Sequence, residues 1–281
     1  MAENTKRIES ALISVFDKDG LEPIVRELHR LDVTLYSTGG TRTFIEGLNI
    51  PVVPVEDLTS FPSILGGRVK TLHPKIFGGI LGRRGLDSDV AQMKEHTIPP
   101  IDLVIVDLYP FEDTVASGGS EQEIIEKIDI GGISLIRAAA KNFNDVVIVP
   151  AQRHYAEALR ILTEQAGDTT LAQRRVFATY GFAESAHYDR AIHGWFSGYE
   201  PLASERPALG TEPIHPLRYG ENPHQPASFI GDLDGLFERL NGKSLSYNNL
   251  LDLDAAVLLI DDMDLLEGVP FAILKHNNAC G

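Results

Sequence analysis

The chain has 281 residues, 40 of them Asp or Glu against 25 Lys or Arg, which gives a formal net charge of −15. That acidity excludes non-specific binding to nucleic acid or to an anionic membrane surface, and no apolar run approaches the ~20 residues of a membrane span. The N-terminus lacks the apolar core of a secretory signal, and Cys280 as the only cysteine leaves no intrachain disulfide; both suit a cytoplasmic protein.

Strands and helices alternate over the first two-thirds. "ALISVF" (11–16) reads as a buried strand, and "GLEPIVRELHRL" after it keeps a helical period with Pro23 in its first turn. "VTLYS" (33–37) is the next strand; it ends in "TGGT", and 42–48 is helical. "VVPV" (52–55) is short and apolar, and "DLVIVDLYPF" (102–111) is the clearest strand, expected to stop at Pro110. A capping box from Ser120 to Glu123 opens a helix through Ile128. A second short helix spans 132–142, a strand 145–150, and two more helices 152–165 and 169–197. This alternation predicts an α/β domain with a parallel sheet covered on both faces. Residues 198–216 hold four prolines without periodicity and read as a linker. The roughly 65 residues beyond it sit near the lower limit for independent folding and read as the start of something larger.

In open parallel sheets, ligands bind outside the carboxyl ends of the strands. Here those ends carry Ser14, Asp17 and Lys18, then Ser37-Thr38-Gly39-Gly40-Thr41, then Asp107 and Tyr109. A Gly-Gly turn running into a helix can cradle phosphate through backbone N–H groups, with Thr hydroxyls as further donors; it can equally be a tight turn needing positive φ. "GGRVKTLHPKIFGGIL" (66–81) gathers Arg68, Lys70, His73 and Lys75 in an acidic chain. The two-residue spacing puts Arg68 and Lys70 on one side, as an anion clamp or as a solvated loop. "IDIGGISLIRAAAKN" (128–142) places Asp129 before Gly131-Gly132 at a helix start and Lys141 at its end, either as functional groups or as ordinary partners of the helix dipole. His73, His187 and His193 have no metal-ligand spacing and read as structural, and no metal site is expected.

The series SVFDKDGL, STGGT, GGRVKTLHP, LYPF, IDIGG and RAAAKN, in this order, resembles the inosine monophosphate (IMP) cyclohydrolase domain of the bifunctional purine-biosynthesis family. PLRYGENPHQ, SYNNLLDLDAA and KHNNACG resemble the opening of its AICAR formyltransferase domain. The resemblance implies a methylglyoxal-synthase-like domain over 1–197, a linker over 198–216, and over 217–281 the start of a cytidine-deaminase-like transferase domain, in a homodimer. It implies closure of the purine ring of formyl-AICAR to IMP with no cofactor, and 10-formyltetrahydrofolate as co-substrate of the transferase, whose activity is expected to be missing here. By matching motifs, Lys70, Tyr109, Asp129 and Lys141 would be catalytic. Ser14, Lys18, Thr38, Gly39, Gly40, Thr41, Arg68, Thr71, Asp107, Gly131 and Gly132 would bind the nucleotide. Arg218, Tyr219, Asn249, Lys275 and His276 match transferase positions. Three residues depart from the family pattern: Phe16 for Ser, Asp107 for Asn and Ala279 for Pro. A nucleotide-binding regulatory module and a methylglyoxal-synthase-type lyase are the rival readings.

Overall fold

Long uninterrupted runs of Val, Ile and Leu with no outward polar partner can only be strands buried on both faces. The computed structural model, which describes residues 5–198, 214–263 and 271–280, builds the first of two units around such strands. The units are Met1–Pro201 and Leu202–Gly281. A short β1 (Lys6–Arg7) precedes β2 (Ser10–Val15), β3 (Thr34–Ser37), β4 (Val53–Pro54), β5 (Leu103–Asp107) and β6 (Val147–Val149), and β7 (Asp168–Thr169) pairs antiparallel with β1. The central sheet has the order β4-β3-β2-β5-β6 and every pairing in it is parallel, so the expected methylglyoxal-synthase-like sheet is present. Leu12 in β2 lies between Tyr36 and Val104 and is fully buried, as are Ala11, Ile13, Ile105 and Ile148.

The helices of this unit are α1 (Leu21–Arg30), α2 (Gly39–Gly47), α3 (Val55–Thr59), α4 (Pro74–Leu81), α5 (Asp87–Glu95), α6 (Phe111–Ala116), α7 (Glu121–Ile125), α8 (Ile130–Lys141), α9 (Tyr155–Glu164) and α10 (Leu171–Ser197). α10 can press onto α8 and β6 because Gly181 has no side chain. A Cβ there would stand 3.2 Å from Ala140 Cβ and 3.3 Å from Ile148 Cγ2.

Four local expectations change. The helix expected through Ile128 ends at Ile125. The strand expected over 102–111 ends at Asp107, because Leu108 to Pro110 leave the sheet and Phe111 opens α6. Phe111 then packs edge-on against Tyr188 and Trp195, a second small core that draws the chain away from the strand direction. The two glycines of TGGT and those of IDIGG lie inside the first turns of α2 and α8 rather than in turns before them. Finally, 66–81 is no extended clamp. It is a tight turn at Leu65–Gly67 with Arg68 in the helical region, followed by α4 with Pro74 in its first turn. His73 caps α4, its Nδ1 accepting the Lys75 N–H at 3.1 Å, which is the structural role expected of it.

In the second unit β8 (Ile214–Pro216) pairs antiparallel with β9 (Ser228–Ile230), followed by α11 (Leu233–Leu236), α12 (Tyr247–Met263) and the short pair β10 (Leu274–Lys275) and β11 (Asn278–Ala279). The end of the stretch read as a linker is thus strand β8, and residues 199–213 of it lie outside the described residues. Among the described residues of this unit no large hydrophobic side chain is buried.

Candidate active site

A cleft of about 670 Å³ opens at the carboxyl ends of β2, β3 and β5. That volume is in the range of small-molecule sites. Its walls come from the end of β2 and the turn after it (Ser14, Phe16, Lys18), the first turn of α2, the 66–71 loop, the exit of β5 (Asp107, Tyr109) and the 125–132 segment. Four cations line it, Lys18, Arg68, Lys70 and Lys127, against three carboxylates, Asp107, Glu126 and Asp129. In a chain of net charge −15 that local excess marks a place for an anion. The N-termini of α2 and α8 both contribute residues to it. Helix N-termini leave backbone N–H groups without intrahelical partners and carry partial positive charge.

Glycines make room for the lysines. Gly39 and Gly67 have φ of +53° and +92°, conformations that a side chain would strain. A Cβ on Gly67 would stand 2.7 Å from Lys70 Cε, and one on Gly39 would stand 3.6 Å from Lys70 Nζ. The Lys70 side chain therefore runs through the space those two glycines leave. Lys18 does the same at Gly40, where a Cβ would be 3.8 Å from its Nζ; that ammonium donates to the Phe16 carbonyl.

Asp129 lines the cleft at the start of α8. It caps α8, one oxygen accepting the Gly132 N–H at 2.6 Å. Burial pushes its carboxyl up from the ordinary range, opposed by backbone N–H groups of Gly132 and Tyr109 and by the Lys70 ammonium. The Tyr109 phenol is likewise pushed up, first by burial and then by the charge of Asp129. The segment is pinned from α10: the Tyr188 hydroxyl donates to the Lys127 carbonyl at 2.6 Å and accepts the Asp129 N–H at 2.8 Å. Buried there, the Tyr188 phenol is pushed up to about 12.

Of the residues expected to act, Lys70, Tyr109 and Asp129 line this one cleft, together with Ser14, Lys18, Thr38, Gly40, Thr41, Arg68, Thr71, Asp107, Gly131 and Gly132. Two hydroxyls are spoken for. Thr41 donates to the Val15 carbonyl at 2.9 Å, tying α2 to β2, and Thr38 donates to Glu56 at 2.9 Å. Arg68 is paired with Glu126 across the mouth. Asp107 accepts the Asp17 N–H at 3.0 Å and so shapes the turn after β2, while burial pushes its own carboxyl up. Lys141 is not brought to the cleft. It stands exposed at the far end of α8, whose 12 residues separate it from Asp129 by about 18 Å at 1.5 Å per residue.

In the second unit Arg218 stacks over the Tyr219 ring with its guanidinium carbon 4.8 Å from the centroid. The Asn249 side-chain oxygen accepts the Ser246 N–H at 3.1 Å at the start of α12. Lys275 and His276 lie at a β10–β11 turn that Asp252 of α12 anchors, its carboxylate accepting the Asn277 N–H at 2.9 Å.

Sequence reading missed Glu126, Lys127 and Tyr188. The first two precede Asp129 without any distinguishing pattern, and Tyr188 is 59 positions away from the group it holds. Among the described residues no cluster of His, Cys, Asp and Glu could hold a metal ion, and no helix is long and apolar enough to cross a membrane.

Residues 20–134 match the family described as the MGS-like domain, and residues 139–281 match the one described as the AICARFT/IMPCHase bienzyme. The chain belongs to the AICARFT/IMPCHase bienzyme family. It is 58% identical to the bifunctional purine biosynthesis protein PurH of Bacteroides thetaiotaomicron, over 99% of this chain and 54% of that protein. To PurH of Chloroflexus aurantiacus it is 45% identical, over 98% of this chain and 53% of that protein. The chain thus spans about half the length of the curated relatives it matches. Among solved structures, one titled "Crystal structure of ForH" superposes with a TM-score of 0.56 at 33% identity, covering 67% of this chain and 99% of that one.

Proposed function

We propose that the first unit is an IMP cyclohydrolase that closes the purine ring of formyl-AICAR to IMP. The carboxamide nitrogen attacks the formyl carbon, the tetrahedral oxygen takes up protons, and it leaves as water. The observation that carries this reading is the convergence of Lys70, Tyr109 and Asp129 on one cation-rich cleft. Nucleophile and electrophile already belong to one molecule, so holding them in attack geometry supplies much of the acceleration. Asp129, ionised, accepts the proton of the attacking carboxamide. Lys70 offers a preorganised positive charge to the developing oxyanion, and Tyr109 a donor. Lys18, Arg68, Ser14, Thr71 and the backbone of Gly39, Gly40, Gly131 and Gly132 hold phosphate and ribose. Arg68, with five N–H donors, does so while still paired with Glu126.

The same reading gives the boundaries 1–197, 198–216 and 217–281. It places the last segment in the cytidine-deaminase-like formyltransferase domain of the family. The full family protein would use 10-formyltetrahydrofolate, act as a homodimer and work in the cytoplasm. The test is to supply formyl-AICAR and follow IMP formation by ultraviolet absorbance. Lys70→Ala is expected to lose about 10²–10³-fold in kcat. A chain that binds the nucleotide without turnover is a regulatory module instead, and turnover that Lys70→Ala leaves intact defeats the catalytic assignment.

A further inference from the structure

Among the cations that line the cleft, Lys127 is the one that neither the motifs nor the family pattern marks. Its backbone is fixed, because its carbonyl accepts the buried Tyr188 hydroxyl at 2.6 Å. Its side chain is held differently. The ammonium lies 5.1 Å from the centroid of the Phe16 ring and 5.8 Å from that of Tyr109, and those two rings meet edge-on with centroids 5.5 Å apart. Cations at such distances over ring faces are attracted by the ring quadrupole. No carboxylate is ion-paired with Lys127 among the described residues. Glu126 beside it is taken by Arg68, and Glu123, which feels its charge, is committed to the Ser120 cap. An aromatic platform thus presents an ammonium to the cleft without neutralising it. It does so at the end occupied by Tyr109 and Asp129.

Phe16 gives this platform a purpose. It is 42% exposed, an uneconomical place for a phenyl ring unless something uses it, and the resemblance to the family would put a serine there. A serine there offers no face to a cation.

We infer that Lys127, carried on the Phe16–Tyr109 platform, is a second catalytic ammonium of the cleft and stabilises the negative charge that develops on the formyl oxygen during ring closure. The inference rests on the cyclohydrolase reading. It assigns Lys127 to the transition state rather than to ground-state holding, since its ammonium lies beside Tyr109, which that reading places at the reacting centre. The charged and titratable groups facing Tyr109 are Lys127 and, from the capped end of α8 and from α10, Asp129 and Tyr188.

The test is steady-state ring closure of formyl-AICAR by the full chain and its Lys127→Met and Lys127→Arg variants across pH. For Lys127→Met we expect kcat to fall about tenfold with KM held within about twofold, the signature of an interaction made only in the transition state. Lys127→Arg, which keeps a cation over the rings, is expected to recover part of that loss. Losing the cation beside Tyr109 also moves any alkaline limb of kcat set by that phenol to higher pH in Lys127→Met, which reports the contact between the two groups. Wild-type turnover shared by Lys127→Met, or a rise in KM at unchanged kcat, overturns the inference and leaves the cyclohydrolase reading standing. A wild type without turnover overturns both.

Discussion

Tyr188→Phe removes one oxygen atom, and two part-buried backbone groups lose their partner with it. The Tyr188 side chain is 6% exposed, and its hydroxyl bridges the Lys127 carbonyl and the Asp129 N–H at 2.6 and 2.8 Å. Neither backbone group makes another hydrogen bond among the described residues. Leaving a buried donor or acceptor unpaired costs about 1–3 kcal/mol, so the pair together destabilises the unit by about 2–3 kcal/mol once partial access of water is allowed. In a unit of this size that is a fall of about 5–10 °C in Tm. Trp195 is the single tryptophan and lies 6.1 Å from Phe111 in the same small core, so its fluorescence reports this unit alone during urea unfolding. The same variant should slow ring closure, because the segment that aims Asp129 is no longer tied to α10. A Tyr188→Phe chain with wild-type midpoint and wild-type kcat would refute the reasoning that this hydroxyl positions the site.

Gly132→Ala tests the tightness of the Asp129 cap: an added Cβ would stand 2.5 Å from its carboxylate oxygen and 2.9 Å from Leu108, so kcat should fall steeply while nucleotide binding, measured by titration calorimetry, persists. The pH dependence of kcat follows from Asp129. Its carboxyl is held up by burial and must be ionised to accept a proton, so activity should appear only above the ordinary aspartate range as pH rises. Because the Lys70 ammonium lowers that carboxyl, residual activity of Lys70→Ala should show its acidic limb at higher pH, and an unmoved or downward-shifted limb would contradict the placement of the two groups.

Much of this was legible in the order of residues. Apolar runs such as 11–16 and 102–107 are too continuous to face water on either side, so a parallel sheet and the carboxyl-end location of the site followed from them. Ser120 and Glu123 cap α7 reciprocally because both partners sit within one turn, where spacing alone decides. Local chemistry of that reach is what a sequence determines by itself. Whether a glycine pair belongs to a turn or to the first turn of a helix was not decided locally, because Gly39 and Gly67 are needed to clear a path for Lys70, which is distant from Gly39 in the chain.

Tertiary structure alone decided which charges meet. Lys141 and Lys127 are both lysines near Asp129 in sequence, yet the rise of α8 carries the first away from the cleft while the turn before α8 keeps the second in it. Arg68 spends its charge on Glu126 and Lys127 rests on Phe16 and Tyr109, partners fixed by how loops from separate strands converge. The Tyr188 hydroxyl reaches Asp129 only because α10 packs back across the sheet. Side-chain type and spacing determine the elements and their buried faces; the pairing of charges across a cleft depends on distances through space that no local spacing encodes.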